Sequence, residues 1–273
     1  VKDMIRRGWI KPSDNIAVME NQVLKFFQIE NLDDEPAPFR HAARKSTSYS
    51  EALTPAQNAW LFRARQLARA VHAEPFSSEA FTEALNRLGL LLHAPQEVRH
   101  IPRILGNAGV RFVIVQSLPG IRIDGACFWI DGSPVIAMSM RHDRIDNFWF
   151  VLMHELGHVR FHDESFDTDL EGHIHDTEKP ESERLADMFA VENILPPRQL
   201  ENFIARVRPL YSARKIEGFA LTMKVHPAIV VGQLQHRGEV AWSSFRKMLE
   251  PVREWITAVA LTDGWGSALP TQL

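Results

Sequence analysis

Cysteine is all but missing: Cys127 is the only one in 273 residues. The chain therefore forms no internal disulfide, and a zinc site built from several thiolates is excluded. Any metal must be held by histidine and carboxylate. An excess of one charge is missing too. The 31 Lys and Arg stand against 34 Asp and Glu, giving a formal net charge of -3. No chain-wide basic field draws the molecule to nucleic acid, although a local basic patch stays open. Long apolar runs are also lacking. The stretch Phe148 to Met153 is far shorter than the roughly 20 residues that cross a bilayer, and no charged-then-apolar leader opens the chain. No membrane partner is expected, and a cytoplasmic location is the default. The first residue is valine, so the expectation is that sequence upstream of Val1 is missing.

What is present is an ordinary globular composition, 45% hydrophobic and 24% charged, long enough to bury a real core. Residues 14–29 place Ile16, Met19, Val23, Phe26 and Phe27 at helical spacing, with Asp14 as the expected cap. The polar, proline-containing stretch that follows reads as a linker. Thr54 and Pro55 then open a helix, and "SSEAFTEALNRLGLLLHAP" supplies another. From Gly109 the period changes to β-branched and aromatic runs broken by Pro-Gly and Asp-Gly, which predicts three or four short strands with Asp131-Gly132 turning a hairpin. A long helix, "RIDNFWFVLMHELGHVRFH", comes next. After an acidic loop from Asp163 to Pro180, a further helix, "ESERLADMFAVENIL", stops at Pro196-Pro197. The segment "IEGFALTMKVHPAIVVGQLQHRG" has the shape of helix, turn, helix, and reads as core packing, with DNA reading as the alternative.

The chemistry lies in "HELGH". On a helix His154 and His158 are four apart, so they share a face and reach one ion. Glu155 sits about 100° round, beside such an ion, and is placed to take a proton from water. Two imidazole ligands and a general base on one rigid element are the physical content of H-E-x-x-H. Phe148, Leu152, Leu156 and Val159 form a core-facing stripe that anchors this helix. Gly157 costs roughly 1 kcal/mol against alanine in a helix interior, which implies that something passes close to the backbone there.

A catalytic zinc takes three protein ligands and keeps one position open. Glu183 on the following helix is the leading third ligand, and Asp187, four residues later on the same face, is placed to orient a ligand imidazole. His162, His173 and His175 are the alternatives. His162 lies roughly 12 Å along the helix from His154, so it joins only after a break. The longer pattern with a further glycine and histidine is out, because Phe161 and Glu164 occupy those positions.

"HELGHVRFH" followed by "ESERLADMFAVENILPP" resembles the ImmA/IrrE family of metallopeptidases, in which Glu183, Ala186, Asp187, Phe189 and Ala190 match the second motif and Leu195-Pro196 ends it. The resemblance spans roughly residues 105 to 240. It implies an α+β, zincin-like fold with a small twisted sheet, and Zn2+ as cofactor. It also implies an endopeptidase acting on a helix-turn-helix repressor or antitoxin, with a part in stress, phage or mobile-element responses. Many members carry a helix-turn-helix domain at the N-terminus, so residues 1–52 are expected to be a helical connector after such a domain, which is where DNA binding would lie. Residues 53–209 are then the peptidase domain and residues 210–273 a helical subdomain. The rival expectation is a regulator or antitoxin whose metal site is structural or vestigial. His226 and Tyr211 are the downstream side chains able to donate to an oxyanion, and the strands "PVIAMS" and "ACFWI" are candidates for an edge that pairs with an extended substrate.

Overall fold

A computed structural model of the chain describes residues 1–34, 53–162, 165–167 and 180–267. Most of the expected linker and acidic loop, with His173 and His175, lies outside the described residues. The helices are α1 (Lys2–Arg6), α2 (Ile16–Phe27), α3 (Pro55–Ala70), α4 (Ser78–Gly89) and α5 (Ile101–Asn107). Strands β1 (Arg111–Val115), β2 (Gly125–Ile130) and β3 (Ser133–Met138) follow, then α6 (Ile145–Phe161), β4 (Ser165–Asp167) and α7 (Glu181–Ile194). The chain continues through α8 (Pro197–Val207), α9 (Ala213–Met223), α10 (Pro227–His236), α11 (Arg253–Thr257) and β5 (Leu261–Asp263).

Local chemistry explains several boundaries. Thr54 accepts from the Gln57 amide while the Gln57 side chain accepts from the Thr54 amide, a reciprocal cap that starts α3 ahead of Pro55. At α2 the cap is Asn15 rather than Asp14. Its extended backbone aims the amide oxygen at the Ala17 and Val18 N–H groups. Asp131 and Gly132 both have positive φ, 50° and 78°, and close the β2–β3 hairpin as a mirror-image turn that matches strand twist.

The sheet runs β4-β2-β3-β1-β5. β1 is parallel to both β3 and β5, while β2 is antiparallel to β3 and β4. Alternate side chains enter two cores. Phe112, Ile114, Cys127, Ile136 and Met138 pack with α6 and the C-terminal helices. Val113, Val115, Ala126, Phe128, Val135 and Ala137 pack with α3, Trp9 and Phe26. Both faces are covered, so the strands read as nearly continuous apolar runs. The result is an α+β fold.

The expected substrate edge is placed differently. β3 is interior, and β2 is paired with β4 across Gly125–Cys127, so neither offers that length as a bare edge. Packing is shared by residues on either side of the expected divisions at 52 and 209. Trp9 and Phe26 share a core with α3, and Ile216, Phe219 and Ile256 share one with α6. The C-terminal stretch moreover supplies β5, because its three residues find an open parallel edge at β1. The helix-turn-helix shape of α9 and α10 is spent on the core, with Ile216, Phe219, Ile229, Val230, Val231 and Leu234 buried.

Asp263 of β5 ties these parts together. The Arg63 guanidinium donates to it at 2.7 Å through Nε and approaches it at 2.6 Å through Nη2, and both side chains are almost wholly buried. The Trp9 indole N–H donates to the same carboxylate at 3.1 Å, and Arg63 lies over the Trp9 ring. Removing one partner of a buried pair strands the other charge. Asp263→Ala is therefore expected to destabilise the chain by about 3 kcal/mol, measured by urea unfolding, whereas Arg63→Met combined with Asp263→Leu recovers most of the loss.

Candidate metal centre

Helix α6 is buried nearly all round: His154, Glu155 and His158 are as inaccessible as Leu152, Leu156 and Val159. Burying three ionisable groups on one helix is costly unless they serve one another or a ligand. Helix α7 supplies the counterpart. A Cβ at Gly157 would sit 3.0 Å from Cα of Ala186. The backbones of the two helices thus approach where the sequence implied a close contact, and the flanking Glu183 and Asp187 of α7 reach over the histidines.

His154 Nε2 lies 3.0 Å from His158 Nε2 and 3.1 Å from Glu183 Oε2, and His158 Nε2 lies 3.6 Å from Glu183 Oε1. The ligand-type atoms of these three residues all fall within 4.8 Å of one another. His154 Nδ1 is 3.0 Å from Asp187 Oδ1, so the ring donates Nδ1–H to that carboxylate and keeps a lone pair on Nε2. That lone pair faces a carboxylate oxygen and a second imidazole nitrogen. Convergent acceptors of this kind are poor hydrogen-bond partners for one another and a good cage for a cation, so the residues fit a divalent ion. When the rings are protonated instead, burial would still raise the Glu183 carboxyl, but hydrogen bonds from His154 and His158 and the charge of both rings outweigh it and hold the group well below the usual carboxylate range.

Two residues unremarked as site residues in the sequence shape this centre. Gly125, at the start of β2, lies so close to Glu155 that any side chain there would collide with the Glu155 carboxylate. Asp124-Gly125 looked like a turn signal. Its glycine instead begins a strand and makes room for the Glu155 carboxylate. Asp124 accepts a bidentate pair from Arg141, at 2.9 and 2.7 Å, which holds the strand entrance in place.

The structure brings His154, Glu155, His158, Glu183 and Asp187 together, and sends the other two candidates elsewhere. His226 caps α10: its Nδ1 accepts from the Ala228 amide and its Nε2 lies 3.2 Å from Glu250. The Tyr211 hydroxyl donates to Glu239 at 2.7 Å, beside Phe203. Both side chains are thus engaged by partners outside the His154, His158 and Glu183 cluster. His162, also considered as a ligand, ends α6 in a left-handed conformation and packs against Trp129.

A small mixed sheet behind a helix bearing two histidines and a glutamate, with a further glutamate reaching in from the next long helix, is consistent with a zincin-like metallopeptidase domain. Residues 108–215 match the family model Peptidase_M78, the IrrE N-terminal-like domain, which spans β1 to the start of α9 and includes both motif helices. The chain thus carries a domain of the ImmA/IrrE metallopeptidase family, as the motifs indicated. None of the curated proteins compared with the chain matches it.

Gly157→Val drives a branched side chain into Ala186. It is expected to cost about 1–3 kcal/mol by over-packing and to weaken metal binding in the same variant, read by denaturant unfolding with and without zinc. At Tyr211, burial first and then the bond to charged Glu239 push the phenol up to about 12 from its ordinary value of 10.0. The folded value lies above the unfolded one, so the associated stability is whole below pH 10 and is lost as pH rises toward 12. Subtracting the phenolate absorbance of Tyr211→Phe from that of the parent should show this late titration, and Glu239→Gln should bring it earlier.

Proposed function

We propose that the chain is a zinc-dependent endopeptidase of the gluzincin type that acts on a regulatory protein, a helix-turn-helix repressor or an antitoxin. The observation that carries the reading is the convergence of His154, His158 and Glu183 beside a buried Glu155. A two-nitrogen, one-oxygen donor set with no thiolate suits zinc, and three protein ligands leave a position for substrate or water. Zinc held there supplies Lewis acidity toward a peptide carbonyl and toward water.

The rest of the chemistry belongs to side chains. Glu155 takes the proton from the attacking water and returns it to the leaving amine. Its place against Gly125 keeps the carboxylate at one wall of the site. Asp187 fixes the tautomer and angle of His154 through the 3.0 Å contact. The regulatory nature of the substrate rests on the resemblance of both motifs to the ImmA/IrrE family. No helix among the described residues is long and apolar enough to cross a membrane.

Purified chain is expected to hold about one zinc, as a single tetrahedral site would. His158→Ala and Glu183→Ala should lose it, by elemental analysis. Glu155→Gln should keep the metal and cut cleavage of a repressor or antitoxin encoded beside the gene by about 10²–10⁴-fold. Failure to take up zinc when metal-free protein is supplied with it would overturn the reading.

A further inference from the structure

Glu155 rides on α6, but a wall of its site belongs to the sheet. Gly125, the first residue of β2, backs onto the Glu155 side chain so closely that a Cβ there would lie 2.9 Å from both Cγ and Cδ. Where the Gly125 backbone sits therefore decides where the carboxylate can lie. That backbone is at the end of a ladder. Gly125 pairs with Met138, the last residue of β3, and residues 121–124 before it are irregular. Terminal rungs open easily unless something ties them down.

The segment that follows β3 supplies the ties. The Ser139 amide donates to the Asp124 carbonyl at 3.0 Å. Arg141 donates from Nε and Nη2 to the two oxygens of the Asp124 side chain, at 2.9 and 2.7 Å, and that carboxylate is almost wholly buried. A planar fork on a carboxylate fixes angle as well as distance, which a point charge does not. To aim Arg141, the chain turns sharply at Met140, whose φ of 53° is left-handed, and the Ser139 hydroxyl accepts from the Arg141 amide at 3.3 Å. A residue with a side chain adopts that conformation only at a cost, and it persists where the surroundings over-determine it. Ser139, Met140 and Arg141 are thus arranged to hold Asp124, one residue from the wall behind Glu155. Stability alone is a weak reason for the ion pair, since a buried pair repays little more than its own desolvation.

We infer that Arg141 is a positioning residue for the base: through Asp124 and Gly125 it fixes the backbone wall against which the Glu155 carboxylate lies. The inference rests on the endopeptidase reading for what Glu155 does, but not for how it is held.

The test has an arm without metal and an arm with it. In the metal-free chain, hydrogen exchange read by mass spectrometry should quicken over residues 124–127 and 138–140 in Arg141→Met and stay unchanged in α3. In the second arm, zinc-loaded protein is titrated calorimetrically with acetohydroxamic acid, a small chelator whose hydroxyl proton passes to a neighbouring base. Glu155→Gln should weaken this binding, and Arg141→Met should weaken it about tenfold at unchanged zinc content. Arg141→Lys keeps the charge beside Asp124 but lacks the fork, so it should fold as the parent does and weaken binding severalfold; it carries both arms if Arg141→Met fails to fold. In the Glu155→Gln background neither Arg141 substitution should matter further, because no base is left to position, whereas a merely structural role gives losses that add. Exchange or affinity unchanged by the Arg141 substitutions, or losses that add to that of Glu155→Gln, overturns the positioning role and leaves the endopeptidase reading intact. Binding indifferent to Glu155→Gln removes Glu155 as the base, and the endopeptidase reading and the inference fall together. Non-additive losses in a protein that cleaves no member of a mixed peptide library sink the endopeptidase reading and sustain the hold of Arg141 on Glu155.

Discussion

The close approach of α6 and α7 at Gly157 and Ala186 is the constraint on which the site depends. Two helices usually pack with their axes 8–10 Å apart, at a distance set by the side chains between them. Here the smallest residue faces one of the next smallest, and Ala186 is completely buried. That approach lets the short side chain of Asp187 reach His154 and lets Glu183 span both imidazoles. A bulkier residue at 157 would move a carboxylate out of range of two histidines at once.

Holding His154, Glu155 and His158 out of water requires a rigid surround. The sheet supplies it through its two-sided burial, since α6 lies on one face while α3 and the N-terminal segment seal the other. The centre opens on the α7 side, where Glu183 and Asp187 keep 21% and 22% of their side-chain surface exposed against 1% for each histidine. A water-poor floor strengthens electrostatic interactions within the centre, while the polar mouth leaves it open to solvent.

The sequence made the site far more legible than the fold around it. H-E-x-x-H fixes its own geometry because helical periodicity alone places the side chains, and Gly157 announced the close contact because a glycine in a buried helix otherwise has no local reason. The hairpin at Asp131-Gly132 was legible for the same reason: its backbone demands those residue types. Non-local features were not. β5 is three residues long and owes its conformation to the open side of β1, so no periodicity marks it. Gly125 looked like turn chemistry because the reason for a glycine there, the Glu155 carboxylate, comes from another element. His226 and Tyr211 were attractive as donors by residue type alone, yet helix capping and a carboxylate partner claim them.

Placing β5 against β1 also has a bearing on how the molecule comes into being. β1 and both motif helices are synthesised well before Asp263, so a nascent chain can assemble its peptidase segment while the outer side of β1 still presents unsatisfied backbone groups. During that interval the Arg63 guanidinium, already committed to a helix of the opposite layer, has yet to meet the Asp263 carboxylate. Pairing that joins residues so far apart in the chain closes late and slowly. The last short strand acts as a latch on vectorial folding, and the interval before it engages is when the nascent protein is most exposed to edge-to-edge association.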